Sequence, residues 1–129
     1  MPLVRIETRR WMSRQTKRSV LDAVHDSLVA AFKVPDHDRN QRIVEYDADE
    51  FEGSGGKGEH FTIVTIDAFA GRSVEAKRAL YQELASRLAP VGIPPGDLTV
   101  VVHDVPLECW GIQGGQAACD VDVGFEIKV

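Results

Sequence analysis

A chain of 129 residues, 43% hydrophobic and 27% charged, has the size of one domain and can bury roughly two-thirds of its unfolded surface without a metal or disulfide staple. Its 15 basic and 20 acidic residues leave a net charge of −5, with no basic block beyond short "RR" and "KR" pairs, which argues against nucleic acid as the main partner. No apolar run approaches the ~20 residues of a membrane span and no signal-like apolar segment follows the start, so the reading is a cytoplasmic protein without a membrane partner.

The chain opens "MPLVRIE", where Leu3, Val4 and Ile6 read as a short strand and Pro2 sits at its first residue, a position that tolerates a missing N–H. Ser13 can cap a helix whose apolar residues Val20, Leu21, Val24, Leu28 and Phe32 recur at helical spacing and stop before Pro35. "QRIVEY" then reads as a strand. The polar, Gly-rich "EGSGGKGEH" at 52–60 is a connection; it fails the phosphate-loop pattern, because Gly58 follows Lys57 and Phe51 stands where the first glycine belongs. "HFTIVTIDAF" is strand-like, Ser73 is the next candidate cap, and Leu80, Tyr81, Leu84 and Leu88 repeat the helical spacing before the "GIPPGD" break. "LTVVVHDV" follows as a strand, and the tail "CWGIQGGQAACDVDVGFEIKV" ends in a possible short strand, "FEIKV", placed to reach a neighbouring subunit. Cys109 and Cys119 form no CxxC pair and read as reduced structural thiols; His37, His60 and His103 make no metal-ligand spacing, so no metal or organic cofactor is expected.

The halves align on each other. Val20, Leu21, Val24 and Leu28 match Leu80, Tyr81, Leu84 and Leu88 at an offset of 60, and "VPDHD" at 34–38 matches "IPPGD" at 93–97 at an offset of 59. The expectation is one α/β domain over 1–129: pseudo-repeats about 2–50 and 59–108, each a β-α-β unit with a parallel crossover, and a tail at 109–129. The repeats should share a four-stranded sheet with two helices on one face. The other face then calls for a cover, which implies self-association.

Three stretches, in order on a chain with this repeat, carry a resemblance: "PLVRIE" at the start, "GRSVEAK" at 71–77 and "WGIQGG" at 110–115. They resemble the tautomerase superfamily, of which 4-oxalocrotonate tautomerase is the best-known member and whose long members are two fused β-α-β units assembled as trimers. "VPDHDR" followed by Gln41 is similar to the malonate semialdehyde decarboxylase branch, and "DEFEG" with "CWGIQG" is similar to uncharacterised long members. A second arginine of the decarboxylase branch is missing from "IDAFAG", and Met12 stands where short members have an arginine, although Arg9 and Arg10 lie near.

The resemblance implies that Met1 is removed and Pro2 becomes an N-terminal secondary amine at an apolar pocket. Burial and nearby cations favour its neutral form, which can shuttle a proton; a neighbouring carboxylate favours the charged form, which can act as an acid. Arg72 would bind a substrate carboxylate beside a helix N-terminus, the alternative being a solvated first-turn arginine. Asp38 would position a water or set the charge of Pro2, or serve as a turn residue like its repeat mate Asp97. Arg39 could complete an anion site or pair with a surface carboxylate, and Trp110 could wall the pocket or fill the core. His25, on the first helix, is either a pocket residue or a buried histidine with a structural partner. The expected function is keto–enol tautomerisation of a small 2-oxo or 2-hydroxy-enoic acid by a homotrimer acting on a small carboxylate substrate. A decarboxylase- or hydratase-like lyase using Asp38 and protonated Pro2, and a non-catalytic carboxylate-binding trimer, are the alternatives.

Overall fold

The computed structural model describes residues 2–129; Met1, and with it the expectation of its removal, lies outside them. Strand β1 (Pro2–Arg9) leads into helix α1 (Arg14–Phe32) and returns as β2 (Gln41–Tyr46); β3 (Thr62–Phe69), α2 (Val74–Leu88) and β4 (Leu98–Val105) repeat the pattern. The strands form one sheet in the order β2-β1-β3-β4, with β1 parallel to β2, β3 parallel to β4, and the two units joined antiparallel through β1 and β3. The expected pair of β-α-β repeats is therefore present.

Both helices start for the same local reason. Ser13 and Ser73, held extended, each accept a hydrogen bond from the amide three residues on, Thr16 and Ala76, both at 3.1 Å. Alternation does the rest in the strands. Val4 and Ile6 of β1, with Val64, Ile66 and Ala68 of β3, face the helices and meet Val20, Val24, Leu28, Leu80, Leu84 and Leu88 in one buried core. Truncating one of these fully buried leucines to alanine costs about 2–5 kcal/mol.

The opposite sheet face is mixed rather than plainly apolar. Its residues alternate with the core set: Leu3, Arg5 and Glu7 on β1, and Val101, His103 and Val105 on β4. Glu7 receives Arg5 Nε at 3.2 Å and the Tyr46 hydroxyl at 2.5 Å, while Asp67 and His103 pair at 2.7 Å. The Glu7 carboxylate raises the Tyr46 phenol above its ordinary value, chiefly by that hydrogen bond.

The tail departs from expectation. Gly111–Ile112 (β5) and Gln116–Ala117 (β6) form a small antiparallel hairpin, and "FEIKV" is not a strand within the chain. Residues 121–129 fold back along the chain. Val123, Phe125 and Ile127 pack against the cluster of Phe69, Trp110 and Ala118, and Val129 reaches the main core. The hydroxyl of Ser73, already the α2 cap, donates to the Val129 oxygen at 2.7 Å and pins the tail there. Cys109 and Cys119 are free and exposed, so neither fills the core. No helix among the described residues is long and apolar enough to cross a membrane.

Candidate active site

Sheet register fixes where Pro2 sits. It is the first residue of β1, buried, and opposite Ala68 near the end of β3. On its other side, the amide of Val4 donates to the Asn40 carbonyl, which ties this end of β1 to the turn that carries Asp38. The strand start is thus flanked by two connections: the 36–40 turn before β2 and the 70–73 turn between β3 and α2. Asn40 Nδ2 donates to Asp38 Oδ1 at 2.8 Å, orienting that carboxylate.

The 70–73 turn buries an arginine. Gly71 has φ +139°, a backbone conformation that side-chain-bearing residues rarely adopt, and it swings the chain so that Arg72 points inward. Only 6% of Arg72 is exposed. Its Nη1 donates to the Phe69 carbonyl at 3.2 Å, and its guanidinium lies between two aromatic rings, 4.9 Å from the Phe32 centroid and 5.7 Å from that of Phe125. The Nε and Nη2 atoms are buried without a hydrogen-bond partner in the protein. Those two nitrogens form the side-on fork that matches the two oxygens of a carboxylate. Desolvation pulls the Arg72 pKa down, while the Asp104 and Asp38 carboxylates oppose it. Asp104 is itself bonded to Lys77, and the guanidinium stays charged.

Beside this arginine lies a cavity of about 200 Å³ lined by Asp38, Phe69, Ile112, Gln113, Val123 and Phe125. Gln113 adopts φ +50° at the tip of the β5–β6 hairpin, the tight turn that brings this segment over the cavity. Trp110 is not on the lining. It backs Phe69 edge-to-face at 4.9 Å, with its indole N–H on the Val105 carbonyl.

Among the residues singled out in the sequence, Asp38 lines this cavity; Arg72 lies behind its Phe69 and Phe125 walls, and Pro2 sits at the strand end between the Asp38 and Arg72 turns, neither of them on the lining. Two others are engaged elsewhere. His25, 1% exposed, pairs through Nε2 with Asp36 at 3.3 Å. Arg39 bonds Asp22 of α1 at 2.8 Å and holds that carboxyl below the usual carboxylate range. Neither lines the cavity. The residues that sequence reasoning missed are aromatic: Phe32, Phe69 and Phe125 come from α1, β3 and the tail, and no spacing links them.

A four-stranded sheet of two β-α-β units with a buried, half-satisfied arginine after β3 defines a class, and comparison with known proteins agrees on it. The profile of the family described as "Tautomerase enzyme" matches residues 38–113, and the chain belongs to this family. Among its relatives is the probable tautomerase YrdN of Bacillus subtilis (strain 168), 30% identical over 122 residues that cover 91% of this chain and 95% of that protein. Among solved structures, the FG41 malonate semialdehyde decarboxylase inhibited by 3-bromopropiolate superposes with a TM-score of 0.82 at 28% identity, covering 92% of this chain and 94% of that one. A fused 4-OT in its symmetric trimer superposes at 0.81, also at 28% identity, covering 91% and 96%.

Proposed function

We propose that the protein is a homotrimeric tautomerase that interconverts the enol and keto forms of a small 2-oxo acid, with Pro2 as proton carrier and Arg72 as carboxylate clamp. The observation that carries this reading is the Arg72 fork: a buried cation with two N–H groups unanswered by the protein is costly until an anion arrives. A substrate carboxylate on Nε and Nη2 satisfies both donors. The Phe32 and Phe125 rings lie against the guanidinium, and a carboxylate contact in this buried setting is strengthened by the low local dielectric.

With Met1 removed, the neutral Pro2 amine takes the proton from the enol hydroxyl. As the carbonyl forms, the C=C electron pair accepts that proton at the adjacent carbon, and the amine is regenerated neutral. No cofactor enters this balance. Placing Pro2 at the buried end of β1, between the Asp38 and Arg72 turns, supports the amine as the moving base. Two exposed, unpaired cysteines fit a reducing compartment such as the cytoplasm. The symmetric trimer of the fused 4-OT and the exposed mixed sheet face support the homotrimer.

A lyase reading has one observation in its favour, the Asp38 carboxylate on the cavity wall, together with the likeness to malonate semialdehyde decarboxylase. In that reaction a charged Pro2 would aid loss of carbon dioxide or addition of water. Nitrogen NMR of Pro2 separates the two: an amine neutral at pH 7 supports the tautomerase, one charged at pH 7 supports the lyase. A phenylpyruvate enol supplies the first assay, and absence of turnover with a carboxylate still bound would leave only a binding trimer.

A further inference from the structure

The internal repeat builds the site region twice, and the second copy has kept different chemistry. Antiparallel pairing of β1 and β3 sets Pro2 opposite Ala68 and, by the same two-fold, Thr62 opposite Thr8. The 10–13 turn therefore stands to Thr62 as the 70–73 turn stands to Pro2. Two catalytic candidates are replaced in this second copy. Met12, 9% exposed, occupies the place of Arg72, and Thr62 is an internal residue whose amide nitrogen has no basicity. Asp97, the mate of Asp38, is also reassigned: its Oδ1 accepts the Gly58 amide at 2.6 Å and fixes the loop before β3.

A cavity of about 470 Å³ nevertheless opens there, lined by Arg9, Arg10, Trp11, Lys57, Gly58 and His60 together with Ala48 and Glu59. Its floor is rigid. Trp11 stacks on His60 at 3.7 Å with the rings nearly parallel, its indole N–H donates to Thr8 Oγ1 at 3.1 Å, and His60 Nδ1 donates to the Gly92 carbonyl at 2.6 Å. Three basic side chains, Arg9, Arg10 and Lys57, share the lining with a single carboxylate, Glu59. Arg10 is answered from outside the cavity by Asp47 and Glu45. Arg9 and Lys57 are held by neutral oxygens, Arg9 by the carbonyls of Gly58 and Glu59 at 3.1 and 3.2 Å, and Lys57 by that of Gly96 at 3.3 Å. Their charges are positioned without being cancelled by those bonds.

We propose that this cavity is a second binding site, for a small dicarboxylate dianion, that binds without proton-transfer chemistry of its own. One carboxylate meets Arg9 and the other Lys57, over the Trp11–His60 stack. The protein has two tryptophans, and in Trp110→Phe the indole of Trp11 is the sole reporter. Titration with malonate at fixed ionic strength is expected to change Trp11 fluorescence saturably, with acetate at least about tenfold weaker for want of the second charged contact. Lys57→Gln, on an exposed loop, should weaken malonate about tenfold while Arg72→Ala leaves the response in place. Calorimetry of the unmodified chain should show malonate binding that Lys57→Gln weakens and Arg72→Ala does not abolish, a readout independent of the Trp110 change. The proposal is overturned if the response is lost with Arg72→Ala but kept with Lys57→Gln, or if malonate and acetate give the same unsaturated drift.

Discussion

Arg72→Met separates binding from stability, and the structure gives the sign of each. The arginine contributes one hydrogen bond to the Phe69 carbonyl, about 1.5–3 kcal/mol for a charged donor, and two aromatic contacts of about 0.5–2 kcal/mol each. Against these stand two buried donors without partners, about 1–3 kcal/mol apiece, and the desolvation that lowers its pKa. These contributions nearly cancel. Methionine keeps much of the packing volume, and the same fold already buries Met12 at the matching turn. Ligand-free Arg72→Met should therefore unfold in urea within about 1 kcal/mol of the parent, or be slightly more stable, a shift of only a few degrees in Tm. Its response to ligand should differ sharply: pyruvate at about 100 times its Kd raises the parent by about 2.7 kcal/mol, and the variant loses that gain together with enol turnover. Destabilisation of the ligand-free variant by more than about 3 kcal/mol would refute the reasoning, since it would make Arg72 a satisfied structural cation.

Three further outcomes follow from the same geometry. Pro2→Ala keeps an amine at the chain start but replaces a secondary by a primary one, so enol turnover measured by absorbance should fall about 10²-fold or more with the fold intact by circular dichroism. Gly71→Ala forces a Cβ to 3.1 Å from Ile127 Cγ2 at a φ of +139°, and urea unfolding should register a loss of more than about 1 kcal/mol along with a looser tail. In Tyr81→Phe protein, the Tyr46 phenolate should appear above pH ~10, and Glu7→Gln should lower its midpoint. Because the folded state favours the protonated phenol, this contribution to stability is complete below the unfolded pKa and fades as pH rises through the folded one.

Much of this architecture was legible in the chain because it rests on local periodicity. The leucine and valine spacing at an offset of 60 marks two equivalent helices, and Ser13 and Ser73 mark their starts by a hydrogen bond that needs only three following residues. The Asp38 and Arg72 turns flank one strand end because the repeat places them there. What escaped was long-range. The tail is one case: the Ser73 hydroxyl and the Phe69 cluster hold it through contacts with residues far away in sequence. The guanidinium beside Phe32 and Phe125 joins segments far apart in sequence, whereas the carboxylate pair of Arg39 and the structural partner of His25, both open as alternatives in the sequence, are Asp22 and Asp36. Trp110, expected as a pocket wall with core packing as the alternative, packs on Phe69 behind the wall and is not on the lining.

The central claim is that Pro2 is a free amine, and intact-mass analysis of the natively expressed chain, taken with enol turnover of the same sample, tests it most directly. The active protein should have a mass lacking Met1. Full turnover from a chain that retains Met1, where the Pro2 nitrogen is an amide without basicity, would contradict it.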